Sequence, residues 1–582
     1  MIIRKNNLLR WVAIFGLLAM FTKCTQPQDN HAKYIPKEAL AVFSIDLKQL
    51  YQKGNFKSLK NSVGFKKWKG NLMEENNKMN DLILENLNDP TVSGLDLRKK
   101  VFVYTYSGGG VFSSNTGVVA AVQNAGNLEK MLKLSDKDIE IKKEEKGYKY
   151  VELDKYEAIG WNDQVMMYIK SESGDGLGER KGLSARSYLY SFFNLAPDNS
   201  LITNKNFSKF VAKNNDLSVW YSLQAAKKDM TAALNMYRYS NRDQQVLDEI
   251  LNFQNSYIQY NLNFEKGKVL FNTQYDLNKN LKKFYKETYG QNLSKELLSR
   301  IPYKQLLGFM GFSWNFKGLF NWLKRVEGVE QAFEKQAKEI GLSSDDLLKA
   351  LQGEIVLAMT GFEKFEIKEK GSRYGDYLNQ MLADHDVDEN KLADFRKRLS
   401  EIPRKTRTTY APEVLGIVSF KSDMIPKKII ETAQIFLSAN KVEGKPYYQF
   451  EVAEMPFFMA TQKQQLMVTN REKLLEQMLD KGNNGNLSGN KMVQEATKYN
   501  NYMYMNLSFD KFPKSTQQNI KDQLQGKFGE LQESLSLFES FKAKGKDYEA
   551  RMELNLSDKS KNSLEVILRT VFNGVDMITL AE

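Results

Sequence analysis

The chain has 582 residues, a net charge of +13, one cysteine and two histidines. Its length calls for at least two domains. A hydrophobic fraction of 42% excludes a disordered chain. One cysteine excludes an internal disulfide framework, and two histidines are too few for a multi-histidine zinc site or a repeated histidine-based triad. The composition therefore argues against these classes of site, and we assign no catalytic residue, no metal ligand and no cofactor from the sequence.

The chain begins with a secretory signal. Arg4, Lys5 and Arg10 precede an uninterrupted run of apolar or small residues at 11–21. This order is typical of a signal peptide. The run is too short for a transmembrane helix, which needs about 20 residues. We expect residues 1–23 to be removed as a signal peptide.

The only cysteine, Cys24, directly follows this signal. Its place resembles that of the lipidated first residue of a bacterial lipoprotein, and residues 24–32 would form a polar tether. Lys23 departs from the lipoprotein pattern, so an ordinary signal with an incidental cysteine stays the alternative. Removal of the signal takes away four positive charges and leaves +9. The remaining lysines are scattered among acids, which argues against nucleic acid as a partner.

Similar segments occur in the same order in the two halves of the chain. FSIDLKQL at 43–50 resembles FSWNFKGL at 312–319, and each follows an Ile-Pro pair. Further along, the Gly-Val-Val segment at 117–119 resembles the Gly-Ile-Val segment at 416–418. Order that is kept over several segments indicates an internal duplication.

The inferred copies span residues 33–295 and 296–582, and the second has a charged insert at about 362–412. Apolar residues at every second position, as at 43–47, 217–221 and 503–507, predict half-buried strands with that apolar set on the buried face. Other segments show helical spacing. Strict alternation of strands and helices is missing. We therefore predict an α+β fold: two tandem copies of a mixed unit with antiparallel sheets and packed helices.

Asp46 and Asn315 hold equivalent places before two predicted helices. Both residue types cap helices by accepting hydrogen bonds from first-turn amides, whereas a general acid or base would not survive exchange for an amide. We interpret both as structural caps. Ser44 and Lys48 also recur in the second copy, but four residues of strand span about 13 Å, so we reject a serine–lysine hydrolase.

The charged insert carries the densest basic cluster of the chain. Its members are Arg396, Lys397, Arg398, Arg404, Lys405 and Arg407. This candidate contact loop would suit phosphate, acidic sugars or lipid headgroups; the alternative is a solvated face paired with nearby acids. Asp384, Asp386 and Asp388 resemble the start of a calcium loop, but Glu389 stands where that loop needs glycine. We predict no metal there.

The opening KYIPKEALAVFSIDLKQL at 33–50, with the signal ending in cysteine and the polar tether, resembles a family of lipid-anchored envelope proteins of Bacteroidota known only as a domain of unknown function. The resemblance implies an envelope lipoprotein at the outer membrane and brings no catalytic residues. Only one acid lies among residues 25–29, so the sequence leaves the periplasmic and surface faces open.

The sequence thus favours a non-enzymatic, lipid-anchored binding or scaffold protein of the cell envelope, with a protein or glycan partner. Two alternatives remain at this point. The first is an envelope enzyme that acts on glycan or peptide through carboxylates, which two buried acids about 5 to 9.5 Å apart in a cleft would favour. The second is an accessory subunit of an outer-membrane assembly or transport complex.

Overall fold

The computed structural model describes most of the chain from Asp29 onward, so residues 29–32 of the predicted tether belong to the folded part, with His31 and Ala32 buried. The described residues are 29–74, 90–107, 114–135, 139–145, 147–171, 183–227, 252–302, 306–339, 341–350, 353–368, 406–452, 455–480, 491–512, 514–524 and 536–578. No helix among these residues is long and apolar enough to cross a membrane.

The strands of the described residues are numbered along the chain. They are β1 (Ala39–Ile45), β2 (Val101–Ser107), β3 (Ser114–Ala121), β4 (Lys142–Lys143), β5 (Lys149–Glu152), β6 (Glu157–Trp161), β7 (Val165–Lys170), β8 (Leu217–Ser222), β9 (Tyr257–Glu265), β10 (Lys268–Asp276), β11 (Gly308–Trp314), β12 (Gly353–Lys368), β13 (Thr406–Ser419), β14 (Asn440–Lys441), β15 (Tyr448–Val452), β16 (Met455–Gln462), β17 (Gln465–Thr469), β18 (Asn501–Asn506), β19 (Phe538–Lys546) and β20 (Glu549–Leu556).

The α-helices are numbered in the same way. They are α1 (Leu47–Lys53), α2 (Phe56–Leu59), α3 (Val63–Glu74), α4 (Ala125–Ser135), α5 (Ala185–Phe193), α6 (Lys205–Ala212), α7 (Lys279–Thr288), α8 (Lys295–Leu298), α9 (Phe316–Leu323), α10 (Val329–Glu339), α11 (Ser344–Ala350), α12 (Met424–Phe436), α13 (Glu472–Leu479), α14 (Lys491–Ala496), α15 (Lys514–Leu524) and α16 (Ser563–Ile578). Helices combined with antiparallel strands confirm the predicted α+β class.

The chain divides into two compact units. Unit 1 comprises residues 1–287, 321–330 and 537–582, and unit 2 comprises residues 288–320 and 331–536. In unit 1 the strands pair in the order β4-β5-β6-β7-β3-β2-β1-β8-β9-β10-β20-β19, and every pairing is antiparallel. Strands from the C-terminal end of the chain therefore complete the sheet of unit 1.

Unit 2 has a smaller antiparallel sheet. Its strands pair in the order β14-β15-β16-β17-β13-β12-β11-β18. The first eight strands of the unit 1 sheet follow the same order when each sheet is traced from its β4 or β14 edge. β11 thus holds the position in unit 2 that β1 holds in unit 1.

Helices cover both faces of the β2–β3–β7 part of unit 1. On one face, Phe102, Tyr104 and Trp220 form an aromatic core with Leu189 of α5 and Phe207 of α6. On the other face, a second core includes α4 and its members are Leu47, Val101, Val118, Ile159, Tyr168, Leu128 and Leu132. The aromatic core is tightly filled, since Trp220 stacks on Tyr257 with ring centroids 4.4 Å apart.

Unit 2 also has two cores. The larger one packs α8, α13 and α14 against one sheet face, with Leu297, Val356 and Met467 fully buried. The smaller one packs α12 against the other face, where Ile430 contacts a cluster that includes Leu466. This core also contains Ala350 of α11 and Phe450 of β15.

The sequence predicted the strands at 43–45 and 217–221 but reversed their buried faces. Ser44 is 3% exposed whereas Phe43 is 43% exposed. In β8, Ser218, Trp220 and Ser222 are buried, while the alternate apolar residues are half-buried. The large core residue Trp220 decides the orientation of β8, and small serines are buried beside it because they leave it space.

The glycine at 117 provides a test of this packing. A Cβ at Gly117 would lie 2.2 Å from Cζ of the fully buried Tyr104. We expect Gly117→Ala to lower the free energy of unfolding by about 1–3 kcal/mol, because the enclosed ring has no space to move. Urea denaturation of the variant and the wild-type chain measures this difference.

Gly70 in α3 is the matched control, because no atom lies within 4 Å of a Cβ built there. Gly70→Ala is expected to leave stability unchanged or to raise it by about 0.5–1 kcal/mol through its higher helix propensity. Equal effects of the two substitutions would contradict the packing of Tyr104 over Gly117.

Candidate functional site

The two predicted caps lie at helix starts. Asp46 precedes α1, and its Oδ1 accepts a hydrogen bond from the Gln49 amide at 2.9 Å. Asn315 precedes α9, and its Oδ1 accepts from the Gly318 amide at 3.1 Å. These bonds satisfy backbone amides of the first helical turn. Each of the two side chains therefore serves to cap a helix.

The other predicted site residues fall outside the described residues. Cys24 precedes the first described residue. Five residues of the basic cluster in the insert also lie outside the described residues: Arg396, Lys397, Arg398, Arg404 and Lys405. Arg407 belongs to β13, of which only the backbone is described at this position. Asp384, Asp386 and Asp388 also lie outside the described part. Among the described residues, no group of three or more histidine, cysteine or carboxylate side chains is placed to bind a metal ion.

A buried polar cluster holds the N-terminal segment against the start of β2. Lys100 is 7% exposed, and its Nζ donates to the carbonyl oxygens of Val211 and Lys213. The Asp29 carboxylate accepts from the Lys100 amide at 3.2 Å and lies 3.7 Å from its Nζ. Burial raises the pKa of Asp29, and the charge of Lys100 opposes that rise. We call Asp29, His31 and Lys100 the N-terminal cluster.

A second buried acid, Asp216, lies at the same end of β1. Its two carboxylate oxygens each accept a hydrogen bond from Lys53 Nζ at 2.8 Å, and one also accepts from the Phe264 amide. Burial raises the pKa of Asp216, while Lys53 lowers it. Like Asp29 and Asp46, this acid is engaged by a cation or backbone amides. The three carboxylates therefore serve as structural anchors.

An open apolar groove lies on the sheet of unit 2. One row of side chains crosses five strands: Met503, Met310, Leu357, Gly416 and Val468 are cross-strand neighbours in that order. Side chains of such neighbours lie on the same sheet face. Four interstrand spacings of about 4.8 Å give this row a length of about 19 Å.

A second row runs beside the first. It contains Met505, Gly308, Met359 and Val414. The two rows line a cavity of about 480 Å³ together with neighbouring apolar residues. The remaining lining residues are Phe309, Ala358, Leu415, Phe457 and Tyr504. We call this cavity the methionine groove.

Two glycines keep the middle of the methionine groove open. A Cβ at Gly416 would contact Leu357 Cδ2 at 3.2 Å, and one at Gly308 would come within 2.9 Å of the Tyr504 carbonyl oxygen. Met310 is 39% exposed and Leu357 is 45% exposed. The groove is therefore accessible, and its walls offer dispersion contacts with almost no hydrogen-bonding groups.

The chemistry of the lining defines the ligand class. Methionine side chains are unbranched and polarizable, and they adapt to irregular apolar partners. A cavity of this volume is within the range of small-molecule sites, about 300–1,000 Å³. Because the space is elongated and apolar, it suits an extended hydrocarbon chain better than a glycan, which would need hydrogen-bonding partners.

The groove was not predicted from the sequence. Its signal was the alternation of Met503 and Met505 with Tyr502 and Tyr504, which the apolar pattern assigned to an ordinary half-buried strand. The structure places Tyr502 in the core and both methionines on the groove face. A strand with large apolar side chains on both faces indicates either two cores or one core and a binding surface.

Burial of His31 predicts a pH-dependent stability. Its Nε2 lies 2.7 Å from the Lys100 carbonyl oxygen, so the neutral ring donates there, and burial lowers the pKa of His31 to about 4. Its usual value is about 6.5 when unfolded. Below that value the unfolded chain binds a proton that the folded chain does not bind. Stability is therefore complete above about pH 6.5 and falls as the pH decreases toward 4.

We expect wild-type protein to lose about 2 kcal/mol more than His31→Leu in its free energy of unfolding between about pH 7 and about pH 5. Urea denaturation at both pH values gives this difference, in which the titration of other groups cancels. His385→Leu removes the other histidine and controls for its contribution. A pH dependence shared by wild-type and His31→Leu protein would refute the buried neutral state of His31.

The chain matches one family model and aligns over part of its length with a solved structure. The family model described as a domain of unknown function, DUF4836, matches residues 31–564. No curated protein matches the chain significantly. A solved structure, described as crystal form III of TP0453, aligns with 47% of this chain and 90% of its own, at 11% sequence identity and a TM-score of 0.23.

Proposed function

The chain belongs to the DUF4836 family of unknown function, and we propose that it is a lipid-anchored protein of the bacterial cell envelope that binds an extended hydrocarbon chain. The observation that carries the binding role is the methionine groove, an open apolar cavity of about 480 Å³ on unit 2. The sequence favours a non-enzymatic binding protein without naming its ligand. We propose that the ligand is the acyl chain of a lipid or lipid-like molecule.

The position of the N-terminal segment supports the lipid anchor. The described chain starts at Asp29, which is held by Lys100, only five residues after Cys24. A lipidated Cys24 at the outer membrane, as in the Bacteroidota lipoproteins that the sequence resembles, would hold unit 1 close to the lipid. Five residues reach at most about 18 Å. A short tether suits a protein that works at a membrane surface.

The duplication remains part of this proposal. The shared strand order of the two sheets supports an origin from one repeated unit, although the exact alignment differs from the sequence-based one. Gly117 pairs with Tyr104, whereas Gly416 pairs with Leu357 on the groove face. We propose that the two copies diverged in how they use the sheet: unit 1 fills it with aromatic rings, and unit 2 leaves a groove.

Binding in the groove is tested by placing a cation in its wall. Leu357→Lys should weaken binding of the apolar fluorophore N-phenyl-1-naphthylamine, and its displacement by palmitate, by about tenfold or more. Binding would bury an ammonium or displace methylenes that each contribute about 0.8 kcal/mol. Leu357 is 45% exposed in the free protein, so the lysine reaches water there and the fold is preserved.

The matched control is Ile435→Lys, which introduces the same cation at a 75% exposed position of α12 outside the groove. This variant should bind the fluorophore as the wild-type chain does. Unchanged binding by Leu357→Lys, or an equal loss in both variants, would show that the groove is not the hydrocarbon site.

The lipid anchor is tested by Cys24→Ser in cells. We expect the variant to leave the membrane fraction after a high-salt wash, because it lacks the acyl chains whose burial holds a lipoprotein in the bilayer. Labelled palmitate should be incorporated into the wild-type chain and not into Cys24→Ser. Thr25→Ser is the control, since it changes the neighbouring residue and keeps the thiol. A washed membrane fraction that retains Cys24→Ser would contradict the anchor.

A further inference from the structure

Helices α1, α2 and α3 of unit 1 carry an unusual run of charge. Residues 47–73 contain seven lysines and no acidic residue. The lysines are Lys48, Lys53, Lys57, Lys60, Lys66, Lys67 and Lys69. Lys53 is the partner of the buried Asp216. This segment is thus an exception to the mixing of lysines with acids elsewhere in the chain, and it is a longer stretch without an acid than the basic cluster at 396–407, which contains Glu401.

The first of the lysine-rich helices begins in space beside the N-terminal cluster. Ile45 pairs with Val101, so Asp46, the cap of α1, lies beside Lys100, which holds Asp29. The charge of Asp46 is close enough to contribute to the raised pKa of Asp29. The point where the chain leaves toward Cys24 and the start of α1 are therefore at the same end of the β1–β2 pair.

The rest of unit 1 fixes these helices in place. Phe65 of α3 packs edge to face with Phe572 of α16, at a centroid distance of 5.5 Å, and Arg569 of α16 donates to Ser58 Oγ. Lys57 and Lys66 are exposed, and the apolar Val63 is 76% exposed beside them. Burial and the nearby Lys69 lower the pKa of Lys60, as expected where ammonium groups are crowded.

We propose that the surface formed by α1, α2 and α3 binds the anionic phospholipid headgroups of the membrane to which Cys24 is anchored. The inference rests on the proposed function for the anchor, and its two supports are charge and chain length. Lysines near an anionic membrane each add to binding, and a single lipid signal is strengthened by a basic patch. Residues 24–28 span at most about 18 Å, and α1 begins beside the N-terminal cluster, so the anchor would hold these helices near the headgroups.

The test uses full-length chain carrying Cys24→Ser and purified without lipid, so that it does not depend on the anchor. Binding is measured by co-sedimentation with vesicles of phosphatidylcholine alone and of phosphatidylcholine with phosphatidylglycerol. We expect binding only to the anionic vesicles, with weakening as salt is added. The triple variant Lys57→Glu, Lys66→Glu and Lys69→Glu should bind them at least about tenfold more weakly.

A matched triple variant, Lys421→Glu, Lys427→Glu and Lys441→Glu, changes the net charge equally at exposed positions of unit 2. It should keep nearly wild-type vesicle binding. Equal losses in the two triple variants, or equal binding to neutral and anionic vesicles, would overturn the proposal. Hydrocarbon binding in the methionine groove should be the same in both triple variants, so failure of the headgroup surface is separable from failure of the groove.

Discussion

Apolar residues on both faces of the same strands are the constraint on which unit 2 depends. In β12, Val356 and Ala358 face the larger core, whereas Leu357 and Met359 face the opposite side. A strand of this kind needs cover on both faces, because each apolar face left in water carries a free-energy cost proportional to its area. Helices α8, α13 and α14 cover the first face. Helices α11 and α12 pack on part of the second face, and the methionine groove lies on another part of it.

Unit 1 solves the same problem differently. Its β2 and β3 are also apolar on both faces, but α4 packs over the second face and places Leu128 and Leu132 against Val118. Its glycine at 117 admits the ring of Tyr104 into the aromatic core. In unit 2, Gly416 lies on the other sheet face and keeps a cavity open. The same residue type thus completes a core in one unit and forms the floor of a groove in the other.

The sequence predicted what depends on local chemistry. Periodicity predicted the α+β class and the strands that contain Phe43 and Val219, and the short polar side chains of Asp46 and Asn315 marked helix starts. It reversed the buried face of β8, because an alternation of serine with apolar residues does not show which set faces a core that contains Trp220. Contacts with residues that are distant in the sequence decide which of the two sets is buried.

The groove was beyond the sequence for a related reason. It is formed by residues that are far apart in the chain, such as Met310 and Met503, and only the pairing of β11 with β18 makes them neighbours. The alignment of Gly117 with Gly416 also placed them on equivalent faces, whereas the strand registers put them on opposite ones. A shift of one residue reverses the face of every side chain, so similarity of three residues could not fix the register.

Desolvation of the Lys100 ammonium explains why the N-terminal segment is fixed to unit 1. A buried ammonium such as Lys100 is stable only when acceptors replace its water, and here two carbonyl oxygens and Asp29 do so. Loss of Asp29 from its place would leave that charge without its only described carboxylate partner. The segment is therefore fixed to β2 from its first described residue onward. If Cys24 carries a lipid as we propose, the anchor is joined to the chain only five residues before Asp29, and the contact of Asp29 with one buried lysine then restricts how unit 1 can turn toward the membrane.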